Sequence, residues 1–310
     1  MLNLAAIVGP TAVGKSSIAI EVALKLDGEI ISCDSMQVYK GMDIGTAKVS
    51  KEKRKIVPHH LVDVVEADQP FSVAEYQSIC KQLIKKLNTE GKLPILVGGT
   101  GLYYQSVVDD YDFFPMETVQ EVREKWNRLI DEKGLDFVYK RLKAIDEDYA
   151  AKISPNDRKR IVRALEVYEI TGRPFSDQQT KTPNAYNLAV VGLYLERQEL
   201  YARIDARVEE MLQKGLIEEV QGLRLKGYDL SLNSMQALGY KEVYLYLEGL
   251  VTKDEMINEI KRETRRYAKR QYTWFNKDRR IYWINITDYP NESSLAEKIS
   301  RYLEGQLFHV

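Results

Sequence analysis

The sequence has little cysteine and little histidine, and each shortage excludes something. Only Cys33 and Cys80 occur in 310 residues. That is too few for a disulfide framework, so a reducing cytoplasm is the expected setting. His59, His60 and His309 have no cysteine or carboxylate cluster beside them, which removes a zinc site. No run reaches the ~18 apolar residues of a membrane span, and the N-terminus lacks the basic flank and cleavage site of a signal peptide. Charge of one sign is missing too: 45 Lys and Arg stand against 46 Asp and Glu, a formal net charge of −1. Global basicity therefore offers no case for a nucleic-acid partner, and any such case must be local. What remains is ordinary globular material, 44% hydrophobic and 29% charged, which excludes a disordered or collagen-like chain. At roughly 150 residues per domain the length suggests two domains, or one with an insertion.

The strongest signal lies in the first forty residues. Leu2 to Val8 is an apolar run of strand length that leads into Gly9-Pro10-Thr11-Ala12-Val13-Gly14-Lys15-Ser16. This matches the phosphate-binding pattern G-x-x-x-x-G-K-[ST] without a mismatch. Ile18, Ala19, Val22, Ala23 and Leu26 follow at helical spacing. The order of elements is what the chemistry needs. Glycines let the backbone wrap phosphate oxygens, and the helix N-terminus adds a positive partial charge. Lys15 supplies a point charge, and the Ser16 hydroxyl can ligate Mg²⁺ held by the same phosphates. A diphosphate or polyphosphate ligand follows, whereas ATP binding is suggested by fold analogy alone.

Alternating strand and helix continue from there. Glu29 to Cys33 reads as a strand ending in Asp34-Ser35-Met36-Gln37. Ser72-Val73-Ala74-Glu75 is a capping box opening a helix, and Leu93 to Val97 is a strand ending in Gly98-Gly99-Thr100-Gly101. In a parallel α/β sheet, ligands gather where strand C-termini meet helix N-termini. Asp34 or Thr100 alone would be an ordinary helix cap, but beside a phosphate loop they form a candidate site.

From Glu117 to Gly172 the pattern turns helical and charged. Val119, Val122, Trp126, Leu129 and Ile130 form one stripe. Ser154-Pro155 reads as a helix start, with Ile161, Ala164, Leu165 and Tyr168 on its apolar face and Gly172 as its stop. The expected fold is α/β: a P-loop NTPase-like parallel sheet flanked by helices, built from 1–111 and 188–310, with an all-helical insertion over 112–187. In the later part Leu200, Ile204, Val208 and Met211 make a helical stripe, with Arg203 and Arg207 each one position before an apolar residue.

A long helix capped by Thr252-Lys253-Asp254-Glu255 then sets Ile260, Thr264, Tyr267, Gln271 and Trp274 on one side and Arg265, Lys269 and Arg270 on the other. Residues 261–280 hold nine basic residues and only Glu263 and Asp278 as acids, an excess of seven. A solvated face normally mixes signs, so this one suggests a polyanion. Asn276-Lys277-Asp278-Arg279 is not the N-K-x-D guanine reader, because its fourth position is Arg. A GTPase-like switch is disfavoured on that ground, and a small-molecule kinase would not need the basic segment.

Several motifs together carry a sharper resemblance. They are the phosphate loop, Asp34-Ser35-Met36-Gln37-Val38-Tyr39, Gly45-Thr46-Ala47-Lys48, Pro58-His59-His60 and Gly98-Gly99-Thr100-Gly101-Leu102-Tyr103. Arg160-x-x-Arg163-Ala164-Leu165-Glu166, Gly239-Tyr240-Lys241-Glu242 and Thr264-Arg265-x-Tyr267-Ala268-Lys269-Arg270-Gln271 complete the set. In this order, and over nearly the whole chain, they closely resemble the tRNA dimethylallyltransferase (isopentenyltransferase) family, bacterial type. The resemblance implies transfer of a dimethylallyl group from dimethylallyl diphosphate to the exocyclic N6 amine of an adenosine. That adenosine lies 3′ of the anticodon in tRNAs reading codons that begin with U. It further implies that the phosphate loop, Gly9 to Ser16, holds the diphosphate with Mg²⁺ on Ser16, and that Lys15 and Arg203 neutralise the leaving group. Asp34 would take the amine proton, and Thr100 would orient the adenine or the diphosphate. The tRNA anticodon stem-loop would be met by Asp34, Ser35, Met36, Gln37, Thr100, Lys159, Arg160, Ile161, Val162 and Arg163, with Arg123 as a further contact and Arg265, Lys269 and Arg270 from the basic face. A cytoplasmic monomer without membrane contact is expected.

Overall fold

A parallel sheet organises the molecule, because its strands alternate between two apolar faces and each face is covered by helices. The computed structural model describes residues 1–113, 120–178, 181–182 and 184–308; Val119 and His309, singled out above, lie outside the described residues. The strands are β1 (Asn3–Val8), β2 (Gly28–Cys33), β3 (His59–His60), β4 (Leu93–Gly98), β5 (Asn187–Tyr194) and β6 (Ile281–Asn285). Among the described residues they form one six-stranded sheet in the order β3-β2-β4-β1-β5-β6, every pair parallel. This is the P-loop type of α/β fold.

Strand periodicity explains the layering. In β1, Ala5 and Ile7 face one core and Leu4, Ala6 and Val8 face the other, as a side-chain period of two requires. The first face packs on α1 (Lys15–Lys25) and on the C-terminal helix Glu292–Leu307. Between these in sequence come α2 (Lys51–Ile56), α3 (Val73–Thr89) and α4 (Gly101–Val108). Tyr76, Ile84 and Leu87 of α3, with Tyr104 and Val107 of α4, fill the second face. Each buried side chain of this size contributes roughly 1.5–3 kcal/mol. The capping box expected at Ser72 is present, with Ser72 N donating to Glu75 Oε2 at 2.7 Å and Glu75 N to Ser72 Oγ at 3.2 Å. The two adjacent histidines hold the sheet edge: His60 Nε2 lies 2.6 Å from Glu29 Oε2, and His59 Nδ1 donates to the Val57 carbonyl at 2.7 Å.

The chain divides into two compact units, Met1–Val108 with Asn184–Val310, and Asp109–Pro183. The second unit contains α5 (Gln120–Lys133), α6 (Leu135–Ile145), α7 (Glu147–Ala150) and α8 (Arg158–Thr171) around Trp126, Val138, Leu142 and Leu165. Its last helix begins later than Ser154-Pro155 indicates. The Asp157 side chain accepts from Arg160 N and caps the helix there, while Ser154 to Asn156 form a turn. Gly172 ends it in the left-handed region with φ of 68°.

In the first unit the chain resumes with α9 (Arg197–Gln213), α10 (Leu216–Leu225), α11 (Tyr240–Leu247), α12 (Lys253–Phe275) and α13 (Glu292–Leu307). Among these helices the C-terminal part also contributes a strand. Ile281–Asn285 adds β6 beside β5, with Ile281 paired to Val190 and Ile284 to Leu193.

Gly98 shows how closely β2 and β4 meet. A Cβ there would run into the carbonyl of Cys33, whereas one at Gly222 in α10 would meet nothing within 4 Å. Gly98→Ala is therefore expected to cost at least about 2–3 kcal/mol through backbone displacement. Gly222→Ala should stabilise by about 0.5–1 kcal/mol, because it lowers unfolded-chain entropy. Urea unfolding of both variants checks the contrast.

Candidate active site

The sheet delivers three loops to one edge. β2, β4 and β1 are neighbours, and Cys33 pairs with Gly98, which pairs with Val8. Their continuations are therefore the Asp34 turn, the Gly98–Gly101 loop and the phosphate loop. A cavity of about 1050 Å³ opens there.

In the phosphate loop, Thr11, Ala12, Gly14, Lys15 and Ser16 line the cavity. Gly14 caps α1 with φ of 93°, and Ala12, although not glycine, is held at φ of 64°. A left-handed alanine costs roughly 1–2 kcal/mol, so its surroundings impose the conformation. Lys15 Nζ donates to the Pro10 carbonyl at 2.7 Å, which folds the loop back on itself. Gly9, Pro10 and Val13 do not line the cavity. Val13 is fully buried in the core beneath α1, so these three shape the loop.

Asp34 combines a structural duty with an available oxygen. Its Oδ1 accepts from the amides of Met36 at 2.9 Å and Gln37 at 3.3 Å; Oδ2 has no protein hydrogen bond among the described residues. Thr100 acts behind it. Thr100 Oγ1 accepts the Ser35 amide at 3.0 Å and donates to Ser35 Oγ at 3.4 Å, while Thr100 N donates to Cys33 O at 3.1 Å. Thr100 is not among the lining residues, so it acts on the Asp34 turn. Gln37 is also tied internally, accepting from Ser32 Oγ at 3.1 Å and donating to Thr46 O at 3.2 Å.

Two helices close the opposite wall, α9 with Ile204, Arg207 and Val208, and α12 with Thr264, Tyr267 and Gln271. Arg203, expected at the leaving group, is corrected by the structure: it is exposed and outside the cavity. Arg207, one helical turn on, lines the cavity instead, because four residues advance a side chain by about 6 Å along nearly the same face. The arginine spacing contained both candidates and only packing distinguishes them.

Burial, then the neighbouring Arg207 charge, lowers Lys15 from an ordinary 10.5 to about 7, with Asp34 opposing. Burial likewise lowers Arg207, again opposed by Asp34. Two cations and one carboxylate thus share a partly dehydrated space, a setting suited to an anionic ligand. For a metal, no group of three or more His, Cys, Asp or Glu stands together among the described residues. The Ser16 and Asp34 oxygens in the cavity fit an ion that draws its other ligands from phosphate and water, as Mg²⁺ does.

The expected RNA-contact residues divide differently. Ile161 and Val162 are corrected: at 0% and 4% exposure they belong to the core of the second unit. They fall on the apolar face of α8 with Leu165, which their helical spacing dictates. Arg123 and Arg163 lie 3.1 Å and 3.2 Å from the fully buried Glu166 carboxylate, Arg160 pairs with Asp157 at 3.3 Å, and Lys159 is exposed. The basic face of α12 is less unopposed than its own sequence indicates. Asp205 of α9 takes the Arg265 guanidinium through Nε at 3.1 Å, Glu209 takes Lys261 at 2.5 Å and Glu263 takes Arg266 at 2.5 Å. Lys269 and Arg270 remain exposed.

The chain is similar to known proteins over its whole length. A family model described as IPP transferase matches residues 37–278. A tRNA dimethylallyltransferase from Syntrophomonas wolfei subsp. wolfei is 64% identical over 306 residues, 99% of each chain. One from Thermoanaerobacter sp. is 49% identical over 311 residues, again 99% of each. Among solved structures, the full-length tRNA isopentenylpyrophosphate transferase from Bacillus halodurans superposes with a TM-score of 0.76 at 41% identity, covering 100% of this chain and 98% of that one. A eukaryotic dimethylallyltransferase acting on tRNA gives 0.79 at 29% identity, covering 96% of this chain and 78% of that one.

The Lys15 shift yields a signed expectation. With its value near 7 in the free protein, Lys15 loses its charge as pH rises through neutrality, and a bound diphosphate restores it. Lys15's share of binding above pH 7 therefore comes with proton uptake, and that share should fall by up to about tenfold per pH unit there. Calorimetry of inorganic diphosphate at pH 8 in buffers of differing ionisation heat should show that uptake. Lys15→Met should remove Lys15's share, and equal uptake in both proteins would refute the assignment.

Proposed function

The chain belongs to the IPP transferase family, and we propose that it transfers a dimethylallyl group from dimethylallyl diphosphate to the N6 amine of an adenosine in tRNA. It is a tRNA dimethylallyltransferase that releases diphosphate. The adenosine we assign is the one 3′ of the anticodon in tRNAs reading codons that begin with U. The observation carrying the residue assignments is that Asp34, with one unused carboxylate oxygen, shares a cavity with Lys15 and Arg207.

The phosphate loop receives the diphosphate. As the allylic carbon–oxygen bond breaks, negative charge grows on the leaving oxygen, and Lys15 and Arg207 neutralise it in a space where water screens little. The amine lone pair is delocalised into the purine, so the nitrogen is a poor nucleophile until its proton can leave. Asp34 Oδ2 accepts that proton as the carbon–nitrogen bond forms, a general-base contribution. Thr100 keeps the Asp34 turn in place through the Ser35 amide. Ser16 would hold Mg²⁺ against the diphosphate, where the ion supplies further charge neutralisation.

The adenine must leave the anticodon-loop stack to enter the cavity, as in other base-modifying enzymes. Exposed Lys159, Lys269 and Arg270, with Arg160 and the paired Arg123 and Arg163, provide the cations for the RNA backbone. Ser35, Met36 and Gln37 line the cavity beside Asp34 and are placed to meet the base. Among the described residues no helix is long and apolar enough to cross a membrane, and a tRNA substrate with two buried, unpaired cysteines supports a cytoplasmic location.

Incubation with dimethylallyl diphosphate, Mg²⁺ and unmodified tRNA, followed by nucleoside mass analysis, should yield dimethylallyladenosine without ATP hydrolysis. Asp34→Asn keeps shape but cannot take the proton, so turnover should fall by about 10²–10⁴-fold with tRNA affinity nearly unchanged. An unaltered rate would confine Asp34 to its turn.

The ion pairs on α12 sharpen a further expectation. A lysine or arginine meeting a phosphate contributes about 0.7–0.9 to the slope of log affinity against log salt. Arg270→Ala should lower that slope by close to one contact, whereas Arg265→Ala, already engaged with Asp205, should lower it by less. Equal slopes in wild type and Arg270→Ala would move the RNA surface elsewhere.

A further inference from the structure

Gln271 is a buried polar side chain, 5% exposed, on the inner face of α12. Its amide is divided between two loops. Oε1 accepts the Thr11 amide of the phosphate loop at 2.8 Å, and Nε2 donates to the Gly99 carbonyl at 2.9 Å. These loops leave the adjacent parallel strands β1 and β4, and in the proposed reaction they serve opposite partners. The first holds the leaving group. The second continues into Thr100, whose hydroxyl holds the Ser35 amide and so the turn that carries the proton acceptor Asp34. Tyr267, one turn before Gln271 on the same face of α12, lines the same cavity. A Cβ on Gly99 would occupy the position of the Gln271 amide nitrogen, so the glycine is needed for this side chain to fit.

We infer that Gln271 is a positioning residue for prenyl transfer, fixing the separation between the donor-holding and the acceptor-holding loops. The inference rests on the cavity being the transfer site. Displacement of concerted partners by about 1 Å can cost 10²-fold in rate, because near-attack distances are about 3–3.5 Å. Neither ligand is held by Gln271 itself in this arrangement, so its loss should act on the chemical step more than on either binding constant. An apolar side chain would also leave the Thr11 N–H and the Gly99 C=O unpaired. Two milder changes avoid that ambiguity. Gln271→Glu keeps the acceptor for Thr11 but sets a second oxygen against the Gly99 carbonyl. Gln271→Asn keeps both groups on a stem one methylene too short to reach both loops.

The test measures kcat by nucleoside analysis, together with the dissociation constants of inorganic diphosphate and unmodified tRNA. Variants are Gln271→Glu, Gln271→Asn, Gln271→Ala, Gly99→Ala and the Gly99→Ala/Gln271→Ala double. Each single change should lower kcat by about 10²-fold while both dissociation constants move by less than about threefold. The double variant should be no slower than the slower single, because both changes break one contact. A kcat near wild type in Gln271→Glu and Gln271→Asn would overturn the inference. So would a loss fully matched by weaker binding, or additive losses in the double variant. Absence of product from the wild-type enzyme would instead overturn the reading of the cavity, and this inference with it.

Discussion

Parallel strand register is the constraint on which the rest of the molecule depends. Cys33, Gly98 and Val8 lie opposite one another on β2, β4 and β1, so all three strands stop at the same level. Neighbouring strands run about 4.8 Å apart, and the Asp34 turn and the phosphate loop therefore stand roughly 10 Å apart at their roots. That span suits a diphosphate at one end and a purine amine at the other. The glycine between them is obligatory, because the middle strand has no room for a side chain against Cys33.

Charge within this edge is kept in tension. Burial works against the charge on Lys15 and on Arg207, and Asp34 opposes it in both. A compact anion entering the cavity relieves both cations at once, while water in the same space would screen them. The protein thus stores part of the electrostatic stabilisation needed for bond breaking in its folded geometry. The framework holding it is polar: backbone amides on Asp34 Oδ1, the Ser35 amide on Thr100, and the Gln271 amide across two loops.

Outside the cavity the basic residues are sorted by their partners. On α12 the cations left exposed include Lys269 and Arg270, and on α8 Lys159. Asp205 and Glu209 of α9 take Arg265 and Lys261, which the sequence of α12 presents as unopposed, and Glu166 and Glu263 take Arg163 and Arg266 within their own helices. Such pairing orients a guanidinium while reducing its net field, an arrangement suited to contact at a chosen place more than to general attraction.

Local sequence was enough to determine the phosphate loop, the strand-length apolar runs at β1, β2 and β4, the capping boxes at Ser72 and Thr252, and the stop at Gly172. Each depends on spacing or on residue conformation within a few positions, which the chain carries in itself. Asp34 and Thr100 were legible as loop residues after strands, but their different duties were not, because one lines the cavity and the other acts through Ser35. Tertiary structure alone chose Arg207 over Arg203, withdrew Ile161 and Val162 into a core, and gave Arg265 an acidic partner 60 positions away in α9. It also added β6, a short segment whose strand state comes from pairing with β5. The inner stripe of α12 reads as a packing face by period. Only the approach of β1 and β4 makes Gln271 a bridge, because a hydrogen bond between elements that are distant in sequence has no local pattern to announce it.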